Sequence, residues 1–152
     1  MELSVTELSP GLRLSVEQGP SWADREFIDE ALGAYNEPFL DDPSYDAFAV
    51  FVRAPSAEIR AGLIGHIYAG WLFIQLLWVH EGLRRAGLGR RLIAEAERRA
   101  LRLGCHSAWV DTFSFQAPGF YRKLGYEPFA TLDYPPHHSR IFLQKRLATE
   151  TS

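Results

Sequence analysis

Between Leu77 and Leu92 the chain reads LWVHEGLRRAGLGRRL: an apolar run, a short turn rich in arginine and glycine, then the start of an amphipathic stretch. That succession of residue types builds an anion site. The first amides of a helix have no intrahelical acceptor and the helix dipole is positive there, so backbone N–H groups over residues 85–90 can converge on phosphate oxygens. Gly87 and Gly89 let the backbone approach a ligand with no Cβ in the way. Arg84, Arg85, Arg90 and Arg91 surround the turn with positive charge. Two familiar phosphate loops do not fit. Gly82-x-x-x-x-Gly87 is followed by Leu88-Gly89, so the lysine and hydroxyl of a P-loop are missing; Gly87-x-Gly89 is followed by Arg90-Arg91-Leu92, so the third glycine of a dinucleotide fingerprint is missing.

The elements that must hold this turn follow from periodicity. Trp71 to Val79 is almost continuously apolar, which predicts a central strand covered on both faces. From Leu88 to Leu103, Leu92, Ile93, Ala96, Ala100 and Leu101 fall on one face and arginines on the other, with Gly104 placed to close the helix. Ser107 to Phe113 predicts a second buried strand, and Gln116 to Leu124 a short helix closed by Gly125. Further strands are predicted over Leu12–Val16, Ala47–Val52, Ile59–Tyr68, Tyr126–Leu132 and Ile141–Leu147. A helix capped by Ser21 starts at Trp22, has a weak point at Gly33 and ends before Asn36. This order predicts an α/β fold, a mixed sheet in one layer flanked by helices. With 152 residues, 47% of them hydrophobic, the chain is expected to form a single domain over residues 1–152.

The net charge of −3 argues against general attraction to nucleic acid or an anionic membrane. It is the sum of two opposed halves. Residues 1–50 hold eleven acids and two bases, a balance of −9, and residues 51–152 hold the other eight acids and fourteen bases, a balance of +6. Cys105 is the one cysteine, which excludes an intrachain disulfide and a thiolate-built metal site. His66, His106, His137 and His138 do not stand at metal-ligand spacing, so no metal is expected. The first residues lack the basic and apolar regions of a secretory leader, and no uncharged apolar run reaches the ~18 residues of a membrane span, so a cytoplasmic setting is expected.

Arg84-x-x-Gly87-x-Gly89 resembles the Arg/Gln-x-x-Gly-x-Gly/Ala signature of the GCN5-related N-acetyltransferase (GNAT) superfamily. Ser114-x-x-Ala117-x-x-x-Tyr121-x-x-x-Gly125-Tyr126 is similar to its other hallmark, Asn-x-x-Ala-x-x-x-Tyr-x-x-x-Gly-Phe, at matching spacing. The likeness runs from about Leu12 to Leu147. It implies a single mixed, mostly antiparallel sheet of about seven strands, with acetyl-CoA as cosubstrate and no metal. It also implies roles by position. Arg84, Arg85, Ala86, Gly87, Leu88, Gly89 and Arg90 would hold the pyrophosphate. Leu77, Trp78 and Val79 would hydrogen-bond the pantetheine arm from a splayed strand edge, with the Val79 amide near the thioester carbonyl as an oxyanion donor. Ser114 stands where many members have the asparagine that contacts pantetheine. Tyr121 would protonate the departing thiolate.

Arg85 stands where glycine is frequent, and Glu81 where proline is. The central strand carries no carboxylate to act as base, and His80, Glu81, Glu37 and Asp111 are the candidates left open. The implied reaction is direct acetyl transfer to a primary amine of a small cationic metabolite or antibiotic-like molecule, drawn to the acids between Asp24 and Asp46. A peptide or protein amine, or a non-catalytic acyl-CoA-binding module, are the alternatives. A homodimer is common in the superfamily, and no segment of this sequence specifies one.

Overall fold

A computed structural model describes residues 1–148; residues 149–152, included in the expected 1–152 domain, lie outside the described residues. Two compact units divide the chain, Met1–Asp41 and the chain from Asp42 onward.

In the first unit, β1 (Glu2–Ser9) and β2 (Leu12–Glu17) form an antiparallel hairpin. Gly11 turns it with φ at +86°, a conformation open to glycine at no steric cost. β1 is not anticipated by the sequence reading, although Leu3 and Val5 alternate with polar residues and Pro10-Gly11 is a turn signal. Helix α1 (Trp22–Asn36) is capped as expected, Ser21 Oγ accepting the Asp24 N–H at 3.1 Å. It runs through Gly33 unbroken, and the Gly33 carbonyl accepts the N–H of Glu37 at its end.

The second unit is a six-stranded sheet of order β3-β4-β5-β6-β8-β7, with β3 (Tyr45–Arg53), β4 (Ile59–Tyr68), β5 (Trp71–Val79), β6 (Ser107–Phe113), β7 (Glu127–Tyr134) and β8 (His138–Arg146). Every ladder is antiparallel except β5–β6. The mixed, mostly antiparallel α/β architecture is therefore as expected, with its strands shared between two sheets. The first expected strand pairs with β1, its neighbour across a two-residue turn, and six strands make the larger sheet.

Between β5 and β6 lies α2 (Leu88–Arg102), which buries Leu92, Ile93, Ala96 and Ala100 against Leu63, Leu72, Ile74, Val110 and Leu143 of the sheet. Gly104, at φ +84°, ends it as predicted. Two ion pairs pin its polar face. Arg99 donates to both Asp46 oxygens at 2.8 Å, tying α2 to β3, and Lys145 of β8 donates to both Glu97 oxygens at 2.8 and 2.9 Å. The Tyr126 hydroxyl, on a ring 1% exposed, also donates to Glu97 at 3.2 Å. A short helix, α3 (Pro118–Lys123), connects β6 to β7 and buries Tyr121.

Burial, then the charge of Glu97, raises the Tyr126 hydroxyl well above the ordinary tyrosine range, and burial pushes Tyr121 up to about 12. Both folded-state values exceed the unfolded one, about 10. Their contribution is thus fully present below pH ~10 and is lost as the pH rises toward and through 12. The urea midpoint is expected to fall over that interval. Tyr126→Phe should lower stability at pH 8 by about 1 kcal/mol, the size of one hydrogen bond, and shrink the alkaline loss, as urea titrations at pH 8, 10 and 11 would show.

Candidate active site

The site begins with a defect in β5. The β4–β5 ladder pairs Ile64 with Leu76 and Gly65 with Ile74, so Gln75 is an extra residue, a β-bulge. The bulge shifts the alternation by one. Leu72 and Ile74 face the core before it, and Leu77 and Val79 pack on that core after it, while Leu76 and Trp78 are exposed. At the same point the parallel ladder to β6 stops, its last pair being Ile74 with Val110. From Gln75 to Val79 the β6 side of β5 has no strand partner.

Beyond Val79 the chain makes a 3-10 turn, Glu81–Leu83, capped by His80 Nδ1, which accepts the Gly82 N–H at 3.0 Å. Arg84 folds back, Nε donating to the Val79 carbonyl at 3.2 Å. Arg85 has φ +74°, the left-handed region that explains why glycine suits this position. Gly87 is the N-cap of α2, also left-handed at +78°, and no side chain caps the helix. No acid stands in the first turn, and Arg90 and Arg91 oppose the dipole. The first-turn amides are left for an external anion. A Cβ at Gly89 would lie 3.2 Å from the Phe120 ring of α3, so glycine there lets the two helices approach.

These segments enclose a cleft of about 630 Å³. Of the residues expected to bind cofactor, Leu77, Val79, Arg84, Arg85, Gly87, Leu88, Gly89 and Arg90 line it together. Trp78 points from the other face of β5, and neither Ala86 nor Ser114 lines the cleft. Ser114 Oγ accepts the Ser139 N–H at 3.0 Å, fastening β6 to β8, and keeps its own O–H. Five lining residues went unnoticed as site residues: Leu83, Ala117, Phe120, Lys123 and Leu124. Ala117, Phe120 and Leu124 recur at helical spacing, a signal the sequence carries. Lys123 brings the cations on the cleft wall to four with Arg84, Arg85 and Arg90. Four cations beside uncapped amides fit a polyanionic diphosphate group.

Tyr121 is 6% exposed, its ring against Phe120 of the cleft wall at 5.1 Å between centroids. Its hydroxyl has no hydrogen-bond partner among the described residues and is not sealed from solvent. Raised by burial first and by the charge of Asp111 second, it stays protonated at neutral pH. Among the open candidates for base, His80 commits Nδ1 to the Gly82 amide, which puts the proton of its neutral ring on Nε2. Asp111 pairs with Arg140, at 2.8 Å from Nε and 2.7 Å from a terminal nitrogen, both to Oδ1. Asp46, one of the acids expected to attract the acceptor, is held by Arg99. Cys105 is buried, and burial raises its thiol.

A model of the Acetyltransferase (GNAT) family matches residues 14–126. The chain belongs to the GNAT family. It is an acetyl-CoA-dependent N-acetyltransferase. It is 43% identical to the blasticidin-S acetyltransferase of Streptomyces morookaense over 112 residues, 72% of this chain and 82% of the relative. It is also 32% identical to an acetyltransferase of Agrobacterium fabrum over 105 residues, 69% and 77% of the two chains. The crystal structure of an acetyltransferase from Bacillus cereus superposes with a TM-score of 0.73 at 33% identity, covering 87% of this acetyltransferase and 97% of that chain. Among the described residues of the acetyltransferase, no helix is long and apolar enough to cross a membrane.

Gly87→Glu tests the cleft. Open space surrounds its Cβ, so the damage comes from the left-handed backbone, about 1–2 kcal/mol, and from a carboxylate among the phosphate-binding amides. Calorimetry should show CoA affinity reduced about tenfold or more, and a lowered melting temperature.

Proposed function

We propose that this enzyme acetylates a primary amine on a small cationic molecule of the antibiotic type by direct transfer, with no covalent enzyme intermediate. The observation that carries the reading is the end of the β5–β6 ladder at Ile74–Val110 beside a cleft lined by four cations. Arg84, Arg85, Arg90 and Lys123, with the amides of residues 87–90, hold the diphosphate of acetyl-CoA. The unpaired edge of Leu77, Trp78 and Val79 hydrogen-bonds the pantetheine amides. The Val79 N–H donates to the thioester carbonyl oxygen, where negative charge develops. That carbonyl carries the acetyl unit; these residues orient it.

In the balance of the reaction a C–N bond forms, the C–S bond breaks, and one proton leaves the amine while one arrives on sulfur. Tyr121 supplies the hydrogen at sulfur. Its hydroxyl, held at about 12, binds its proton more tightly than a thiol, whose ordinary value is near 8.5. It therefore stabilises the departing sulfur as a donor and releases its proton only as the same oxygen takes one from the amine. The relative named for blasticidin-S supports an antibiotic-type acceptor, and the −9 balance of residues 1–50 supports a cationic one.

The test is release of CoA thiol from acetyl-CoA with blasticidin S, aminoglycosides, polyamines, amino acids and peptides. Turnover with a small cationic amine is expected, while turnover on peptides alone, or on none, overturns the reading. Tyr121→Phe should reduce kcat about 10²-fold with CoA affinity unchanged, and equal kcat would remove Tyr121 from the chemistry.

A further inference from the structure

Asp111 is the first residue of β6 past the end of the β5 ladder. Its neighbours Ala108, Val110 and Thr112 are buried on the α2 side, so Trp109, Asp111 and Phe113 emerge on the opposite face of the sheet. The cleft uses the α2 side. A carboxylate at the mouth of the gap, on the face away from the cleft, stands where a nucleophile can approach a carbonyl held between the strands.

Its local pairing is lopsided. Arg140, diagonal to it on β8, makes both of its close contacts with Oδ1. Oδ2 accepts no hydrogen bond among the described residues and is not closed off, the side chain being 16% exposed. Arg140 is itself fixed, at 3.5 Å from the Tyr134 hydroxyl and over the Phe113 and Phe142 rings at 5.9 and 5.3 Å. The carboxylate is therefore held in one orientation with one oxygen free.

Resting on the acetyltransferase reading above, we infer that Asp111 Oδ2 receives the acceptor amine, accepting a hydrogen bond from its N–H and aiming its nitrogen into the β5–β6 gap. Arg140 acts as the positioning residue. The charge of Asp111 adds to the effect of burial in raising the Tyr121 hydroxyl. The Phe113, Phe115 and Tyr134 rings cluster beside the pair, with ring centroids about 5 Å apart, and offer apolar faces to the carbon frame of a cation.

The test compares wild type with Asp111→Asn on the amines of the panel, blasticidin S first, reading KM and kcat separately and measuring amine binding to the CoA-bound protein by calorimetry. Amine KM and dissociation constant should rise about 10–100-fold, the worth of one charge-assisted hydrogen bond, with CoA affinity within twofold of wild type. Arg140→Gln should raise amine KM less than Asp111→Asn does. If CoA binding shows Asp111→Asn misfolded, the Asp111→Asn/Arg140→Leu double variant, which leaves no unpaired arginine, should give the same rise. Wild-type turnover with amine KM and binding unchanged in the folded variant overturns this inference alone. No turnover by wild type on any amine overturns the acetyltransferase reading and this inference with it.

Discussion

The structure depends on one broken ladder. Parallel strands β5 and β6 bond through four residue pairs and then part, because Gln75 adds a residue against β4 and changes the course of β5. Bulges bend the strand that carries them and increase its twist. Had the ladder continued to Val79, the amides of that strand would be spent on β6. The bulge also decides which side chains see which face. It keeps Ile74, Leu77 and Val79 on the packed side despite an odd spacing, so the strand stays anchored to α2 while its edge is released.

Rigidity around the gap comes from elsewhere. α2 is clamped to β3 by Asp46–Arg99 and to β8 by Glu97–Lys145, the latter reinforced by Tyr126. Glu97–Lys145 is partly buried and hydrogen-bonded from two sides, which distinguishes it from surface pairs of little worth, and Asp46–Arg99 is bidentate. They hold the helix whose N-terminus faces the cleft, so its amides keep their aim while the strand beside them is unpaired.

Much of this was legible in the sequence wherever the signal is local. The two motifs, the turn from Val79 to Leu88 and the helix behind it stand in contiguous letters with their own periodicity, and nine-residue β5 was bounded correctly at both ends. The bulge was hidden because Gln75 is the only polar letter in an apolar run, and register against β4 is a non-local property. Lys123 escaped notice since its approach to the cleft depends on how α3 docks, which Gly89 controls from thirty-four residues away. The free oxygen of Asp111 is likewise invisible in sequence, for it arises from a diagonal contact with Arg140 on a strand that comes three elements later. β1 was missed although its alternation is present, because its polar positions outweigh a weak apolar stripe.

The uncapped start of α2 has a consequence for how this fold can change. Arg90 and Arg91 are poor choices for a first helical turn, where Asp or Glu would each add stability. Selection for a sturdier empty protein would favour those residues, and each would place an oxygen or a negative charge where the phosphates belong. Robustness and ligand capture therefore pull in opposite directions at this one turn. Gains in thermal tolerance have to arise in other parts of the chain, and the bound cosubstrate itself supplies the cap that the sequence withholds.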